Sequence, residues 1–339
     1  MAVICVYDGH LSLEVQKMKQ AFATALTLST LVVSLCSGTV AQAQNNTGLV
    51  ISEVPLRPDR TLVLGAAQQD GFIIGVGERG ALFISSDGGK KWQSSRSPTT
   101  YTLTSVVTLD KTSWIAGDHG GVLLRSDDAQ SAPELIKSEA GRDSILGMTA
   151  LNPTTVLAYG AFGLMLRSED AGKTWTRQEV IDLDFDRHIA AVIHMKDMLL
   201  LVGESGTLAK SVDEGRTWKA VKSPYEGSYF GATVTPKGTM LIFGMRGNIY
   251  RSEDRGGSWK KIDVLTKIPF YGASTLSDGS VVLTGGQGWM AHSQDDGRSF
   301  KLKRVAQRGI SGAIAQSTEG LVLYGEQGLR HISVNDLKN

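Results

Sequence analysis

Residues 168–175 read Ser168-Glu169-Asp170-Ala171-Gly172-Lys173-Thr174-Trp175, and the phrase returns along the chain. Ser-x-Asp-x-Gly-x-(Lys/Thr/Ser)-Trp occurs at Ser85–Trp92, Ser168–Trp175, Ser211–Trp218 and Ser252–Trp259, and Ser293–Phe300 carries Phe for Trp. Ser126-Asp127-Asp128 is a degenerate copy that has lost the Gly and the aromatic. The aspartates Asp87, Asp128, Asp170, Asp213, Asp254 and Asp295 lie 41, 42, 43, 41 and 41 residues apart. A fixed step of this size marks stacked structural units. Ser and Asp side chains bond nearby backbone N–H groups, Gly permits a tight reversal, and Trp92, Trp175, Trp218 and Trp259 are expected to pack inside each unit.

Working outward, a Gly-x-x-Gly element followed by a short apolar–polar alternation precedes each box. Its copies begin at Gly77, Gly117, Gly160, Gly203, Gly244, Gly285 and Gly325, and the last ends at Ser333 with no box after it. The element is read as a two-residue hairpin loop whose glycines supply positive φ. Each unit then holds four short strands, in the third unit Leu146–Leu151, Thr155–Tyr159, Leu164–Ser168 and Thr174–Glu179. Twelve or thirteen residues before each loop stands a small residue: Gly65, Ser105, Gly147, Ala190, Gly231, Gly272 or Gly312. Small side chains suit innermost strands crowded round an axis. The expected fold is all-β: a seven-bladed β-propeller of four-stranded antiparallel blades. The last unit has three strands, and an orphan strand Leu49–Val54 is expected to complete it, closing the ring and covering its edge.

The N-terminus has the pattern of an export signal. Lys17 and Lys19 flank Met18, an apolar run spans 21–35, and Ala41-Gln42-Ala43 forms a small-x-small cleavage pattern. Met18 serves as an alternative start. The expected organisation is a signal peptide over residues 1–43 and one propeller over 44–339, periplasmic or secreted. Cys36 follows bulky Leu35, a poor context for lipidation. With Cys5 and Cys36 both in the signal, the exported part has no disulfide, thiol nucleophile or Cys metal site. A formal net charge of +1 recommends neither nucleic acid nor an anionic membrane as the main partner. No stable membrane insertion and a monomer are expected.

These boxes resemble the BNR/Asp-box superfamily, and the phrase from Leu166 to Trp175 looks most like the photosystem II assembly/stability factor-like group. The resemblance spans residues 47–334. It implies a non-catalytic, exported scaffold that grips a membrane-protein complex or its precursor through an arginine-rich face. The client would be a photosystem subunit in a photosynthetic host and another envelope complex elsewhere. Arg125, Arg167 and Arg251, with Lys210, stand before the box Ser, while Ile84, His292 and Ile332 break the series. That rank reads either as part of such a patch or as solvated side chains.

The enzymatic alternative is a sialidase-like glycosidase or a glycan-binding propeller, needing three converging arginines, a Glu-activated Tyr and an acid. Arg57-Pro58 resembles an Arg-x-Pro element at a different spacing, and the loops are too short to wall a deep pocket. His119, His188, His194, His292 and His331 lack metal-ligand spacing, and neither a metal nor a cofactor is expected. Asp127-Asp128 and Asp295-Asp296 read as turn residues.

The Gly-x-x-Gly loops and the entries to the inner strands should share one face, where variable tips on a fixed scaffold suit recognition. The loops offer Arg79, His119, Phe162, Met245, Arg246, Gln287 and Gln327, and the entries add Tyr101, Arg142, Arg187, His188, Tyr229, Phe230, Phe270, Tyr271 and Arg308. Arg and aromatics dominate protein interfaces. Phe230 and Phe270 have packing between blades as their plainer role.

Overall fold

The computed structural model describes residues 55–110, 112–128, 131–315 and 320–333. The export signal and the orphan strand 49–54 lie outside the described residues. Among those described are six four-stranded antiparallel sheets and one of three strands, each ordered as it is in sequence. The innermost strands are Val63–Gln69, Leu103–Thr108, Ile145–Ala150, Ile189–Met195, Tyr229–Val234, Phe270–Thr275 and Ile310–Ala315. Each packs beside the next and the last beside the first, so seven blades close a ring. Leu329 donates its N–H to the Pro58 carbonyl at 2.7 Å and Leu56 packs between blades 7 and 1, fastening the entering chain to the last blade.

The core lies between the blades. Second strands are buried throughout, and successive side chains feed opposite interfaces: Leu157 and Tyr159 face blade 4, while Val156 and Ala158 face blade 2. This is the period-2 geometry of a strand buried on both sides. Each of the seven apolar clusters joins two neighbouring blades. The box aromatics belong to these layers and not to the blade interior: Trp175 packs with Ile115 of blade 2, and Trp218 with Leu157 of blade 3.

Two register details differ from the sequence reading. The crowded position in blade 4 is Ala191, paired with Val202, and not Ala190. In blade 2 the residue equivalent to Gly77 is Asp118, because Leu103 pairs with Asp118 as Val63 pairs with Gly77. Asp118 is fully buried, and its carboxylate accepts bonds from Thr99 Oγ1 (2.9 Å) and from the N–H groups of Gly120 and Val122 (both 2.8 Å).

The boxes are built as expected. In blade 3, Ser168 Oγ accepts the Gly172 N–H (2.8 Å), and Asp170 Oδ1 accepts the N–H groups of Lys173 (3.0 Å) and Thr174 (2.9 Å). Burial alone would raise the carboxyls of Asp170 and Asp213, but the box hydroxyls and amides outweigh it and hold both at about 2. A folded-state value below the ordinary 3.8 means the box contribution is present above about pH 4 and lost as pH falls toward 2. The pair Asp170→Asn and Asp213→Asn is therefore expected to lower stability at pH 7. It should also flatten the acid limb between pH 4 and 2, read by tryptophan fluorescence across an acid titration. An unchanged limb would remove these carboxylates from the acid response.

The cations before the box Ser are neither a surface patch nor solvated. Arg125, Arg167 and Arg251 are all buried, and each crosses to the box of the next blade. Arg125 Nε donates to the Ala171 carbonyl (2.8 Å), Arg167 Nη1 to Glu214 O (2.6 Å) and Arg251 Nε to Asp296 O (2.7 Å). The accepting residues all have positive φ, which turns their carbonyls outward from the box. Lys210 takes this place in blade 4, its stem against Gly256 of the blade 5 box. These cations are struts between blades. Asp296 is more than a turn residue, since its carboxylate meets Arg251 Nη2 at 2.5 Å, Thr235 Oγ1 at 2.5 Å and Thr239 Oγ1 at 2.7 Å.

Candidate functional site

Antiparallel order places the loops between second and third strands at the same end of each blade as the connections into the next inner strand. The backbone ties them together: Glu78 N–H donates to Leu62 O (3.0 Å), Ala161 to Ser144 O (2.9 Å) and Met245 to Ser228 O (3.1 Å). In blades 1 and 3 to 7 the first glycine of the loop serves this approach and not a turn. Gly77 is extended, and a Cβ there would collide with the Leu62 carbonyl oxygen. Positive φ falls instead on the second loop residue and the last glycine, so the hairpin is a primed turn with a non-Gly tip. Arg79, Phe162, Ser205, Arg246 and Gln287 hold φ of 53°, 52°, 51°, 57° and 56°.

This geometry puts Arg79, Phe162, Arg246 and Gln287 at exposed tips. Met245 and Gln327 are half-buried; Gln327 Oε1 accepts the Gln307 N–H (3.1 Å). His119 is exposed with Nδ1 2.9 Å from Ser144 Oγ. Arg187 and Arg308 are exposed on the entries to blades 4 and 7, and Arg187 Nη1 reaches Ser205 O at 3.3 Å. Tyr271 and Phe230 occupy the bulge of their inner strands, with ring centroids 5.7 Å apart. Tyr229 and Phe270, one residue earlier, are buried between blades.

The face gathers these residues in two places. Phe162 stands edge-on to His188 at 5.0 Å, and its N–H donates to His188 Nδ1 at 3.2 Å. Tyr271 and Gln287 line a pocket of about 410 Å³ with Lys267, Ile268, Pro269, Gly286 and Glu326. Burial, with Glu326 adding to it, raises the Tyr271 phenol above its ordinary value, the opposite of what an activated tyrosine nucleophile requires. No arginine lines this pocket; Arg79, Arg187 and Arg246 belong to three different blades or their entries.

Sequence reasoning missed Leu183 and Leu265. They lie on the connections out of blades 3 and 5, exposed by 81% and 102%. Of the six large apolar side chains exposed among the described residues, four (Tyr101, Phe162, Leu183 and Leu265) belong to this face. An apolar residue in a connection two or more residues past its strand was the available signal.

Residues 52–179 match the sequence family described as Photosynthesis system II assembly factor YCF48, and residues 249–262 match the BNR-Asp box repeat. No curated protein sequence matches the chain significantly. Among solved structures, "YCF48 bound to D1 peptide" is 18% identical, with 82% of this chain and 94% of that one aligned at a TM-score of 0.68. YCF48 from Cyanidioschyzon merolae is 14% identical over 83% and 98% of the two chains, also at 0.68. Virginiamycin B lyase from Staphylococcus aureus reaches the same score at 10% identity over 80% and 94%. Similarities this distant establish the architecture, which an enzyme and an assembly factor share.

Proposed function

We propose, from the premise that this chain is a BNR/Asp-box propeller of the photosystem II assembly-factor type, that it is a non-catalytic binding scaffold for a membrane protein or its precursor. The observation that carries this reading is the concentration of exposed apolar side chains and arginine tips on one end of the ring. Rigid tips that alternate Arg, aromatic and amide groups suit a wide protein epitope. The pocket beside Tyr271 is shallow, and its single cation favours a docking side chain over a carboxylate-clamped sugar. The export-signal pattern of residues 1–43 supports a site of action in the periplasm or outside the cell, facing the exposed parts of envelope complexes.

The test is affinity capture from detergent-solubilised envelope, comparing wild type with Arg79→Ala, Arg187→Ala and Arg246→Ala combined. One identified membrane protein, retained by wild type and weakened about tenfold or more by the variant, is the expected result. Equal capture by both proteins would move the site off this face. Turnover of a sialoside with no retained partner would replace the scaffold by the glycosidase.

A further inference from the structure

We infer that the rim of blades 4, 5 and 6 is a docking surface for an anionic lipid bilayer. The near-neutral net charge conceals an uneven distribution. The outermost strands of these blades, Lys219–Ala220, Lys260–Ile262 and Lys301–Arg304, carry six cations and no carboxylate. Their counterparts Gln93–Arg96, Glu134–Ile136 and Thr176–Arg177 in blades 1 to 3 carry two cations and one anion.

The lysines are register-matched. Lys219, Lys260 and Lys301 pair with Lys210, Arg251 and His292, the same position in three successive blades, where the first three blades have Gln93, Glu134 and Thr176. All three are exposed, as are Lys222, Lys261 and Lys267 alongside. None of them enters any of the ion pairs among the described residues. The arginines of the adjoining boxes behave differently, since Arg216, Arg255 and Arg298 are paired with Glu169, Asp197 and Glu253 at 2.9, 2.7 and 2.7 Å.

Three features select lipid over an acidic protein. Five of the six charges are lysines, point cations suited to a diffuse anionic surface, and not the bidentate arginines that single out individual carboxylates. The matched row Lys219, Lys260 and Lys301 spans three blades. Leu265 stands fully exposed between Lys261 and Lys267, an apolar side chain placed where the rim would meet acyl chains. Lysines also protect open strand edges from pairing, and Lys91 and Lys137 stand beside the outer strands of blades 1 and 2, but edge protection does not require one register position to be lysine in three consecutive blades and in none of the first three.

The proposal rests on a membrane-adjacent site of action and needs no knowledge of the client, so it fails separately from the scaffold reading. The test is co-sedimentation of the full-length protein with phosphatidylcholine vesicles, with and without about a third phosphatidylglycerol. Wild type is expected on anionic vesicles only, released as salt rises from about 0.05 to 0.5 M. Lys219→Glu, Lys260→Glu and Lys301→Glu together keep the edges charged and should lower binding at least tenfold. Lys→Gln at the same positions gives an intermediate loss, a second reading should the Glu variant fold poorly. The Arg79, Arg187 and Arg246 variant should bind as wild type does. Residues 1–54 are common to every variant, so any contribution from the apolar run 21–35 cancels. Equal binding to both vesicle types, binding unchanged in the Glu variant, or retention by polyglutamate without retention by anionic vesicles would each overturn the proposal.

Discussion

Arg251→Met is expected to destabilise the propeller by about 3–5 kcal/mol, the range for removing one partner of a buried ion pair. Arg251 and Asp296 expose only 6% and 5% of their side chains. Burial alone would raise the Asp296 carboxyl, but Thr235, Thr239 and Arg251 together hold it below the ordinary value, so Arg251 is part of what keeps the buried carboxylate charged. The methionine fills much of the volume yet leaves that carboxylate with two hydroxyls and only the exposed Arg298 guanidinium 3.6 Å away, while the Asp296 carbonyl loses its Nε–H donor. Arg255→Met is the control. Its pair with Asp197 is exposed on both sides, and its loss should cost no more than about 1 kcal/mol. Urea unfolding of both variants reads the difference, and comparable costs would show that the interblade strut contributes nothing special.

Trp114→Val is expected to cost about 3 kcal/mol although valine stands naturally at the same register elsewhere. Trp114 pairs with Ser126 as Val156 pairs with Ser168 and Val281 with Ser293. In those blades a box aromatic completes the layer against the preceding blade, whereas the blade 2 box has none. Trp114 fills that layer from the second strand, packed on Ile74, Leu82 and Leu124. Even so a hollow of about 270 Å³ remains there, bounded by Ile84, Gln93 and Pro133. Shortening Trp114 would open it further with nothing to collapse inward. Ile73→Val, at the equivalent place in blade 1 where Trp92 is present, should cost only about 1 kcal/mol. Near-equal losses in the two variants would show that Trp114 is ordinary core.

The sequence made the ring legible because the information is periodic. Seven Gly-x-x-Gly elements and six boxes count the blades, and local side-chain chemistry explains each turn. What stayed hidden depends on contacts between units. Arg125, Arg167 and Arg251 alternate like outward residues of a strand, and only the neighbouring box, 45 to 47 residues away, makes that position interior. Asp118 was masked by the accident of Gly117 and Gly120, which mimic the loop motif one residue early. Trp114 looks like any aromatic in an apolar strand until the lost box aromatic is placed beside it. For the site, the common face and its tips followed from topology, but the exposure of Leu183 and Leu265 did not. The lysine register needed the pairing of the outer strands before three scattered residues became a row.

The struts also give the ring a grain. Cations reach forward across four successive interfaces, from blade 2 through blade 6, and then stop. His292 turns to Ser280 of its own blade (3.0 Å), and Ile332 and Ile84 offer no charge to blades 1 and 2. Three neighbouring seams, all touching blade 7 or blade 1, thus have no cationic strut of this kind among the described residues, and they include the one where the chain closes on itself. Breathing of the ring, and the exchange of its amide protons with solvent, will begin there, while the clasped arc carrying the lysine row stays shut.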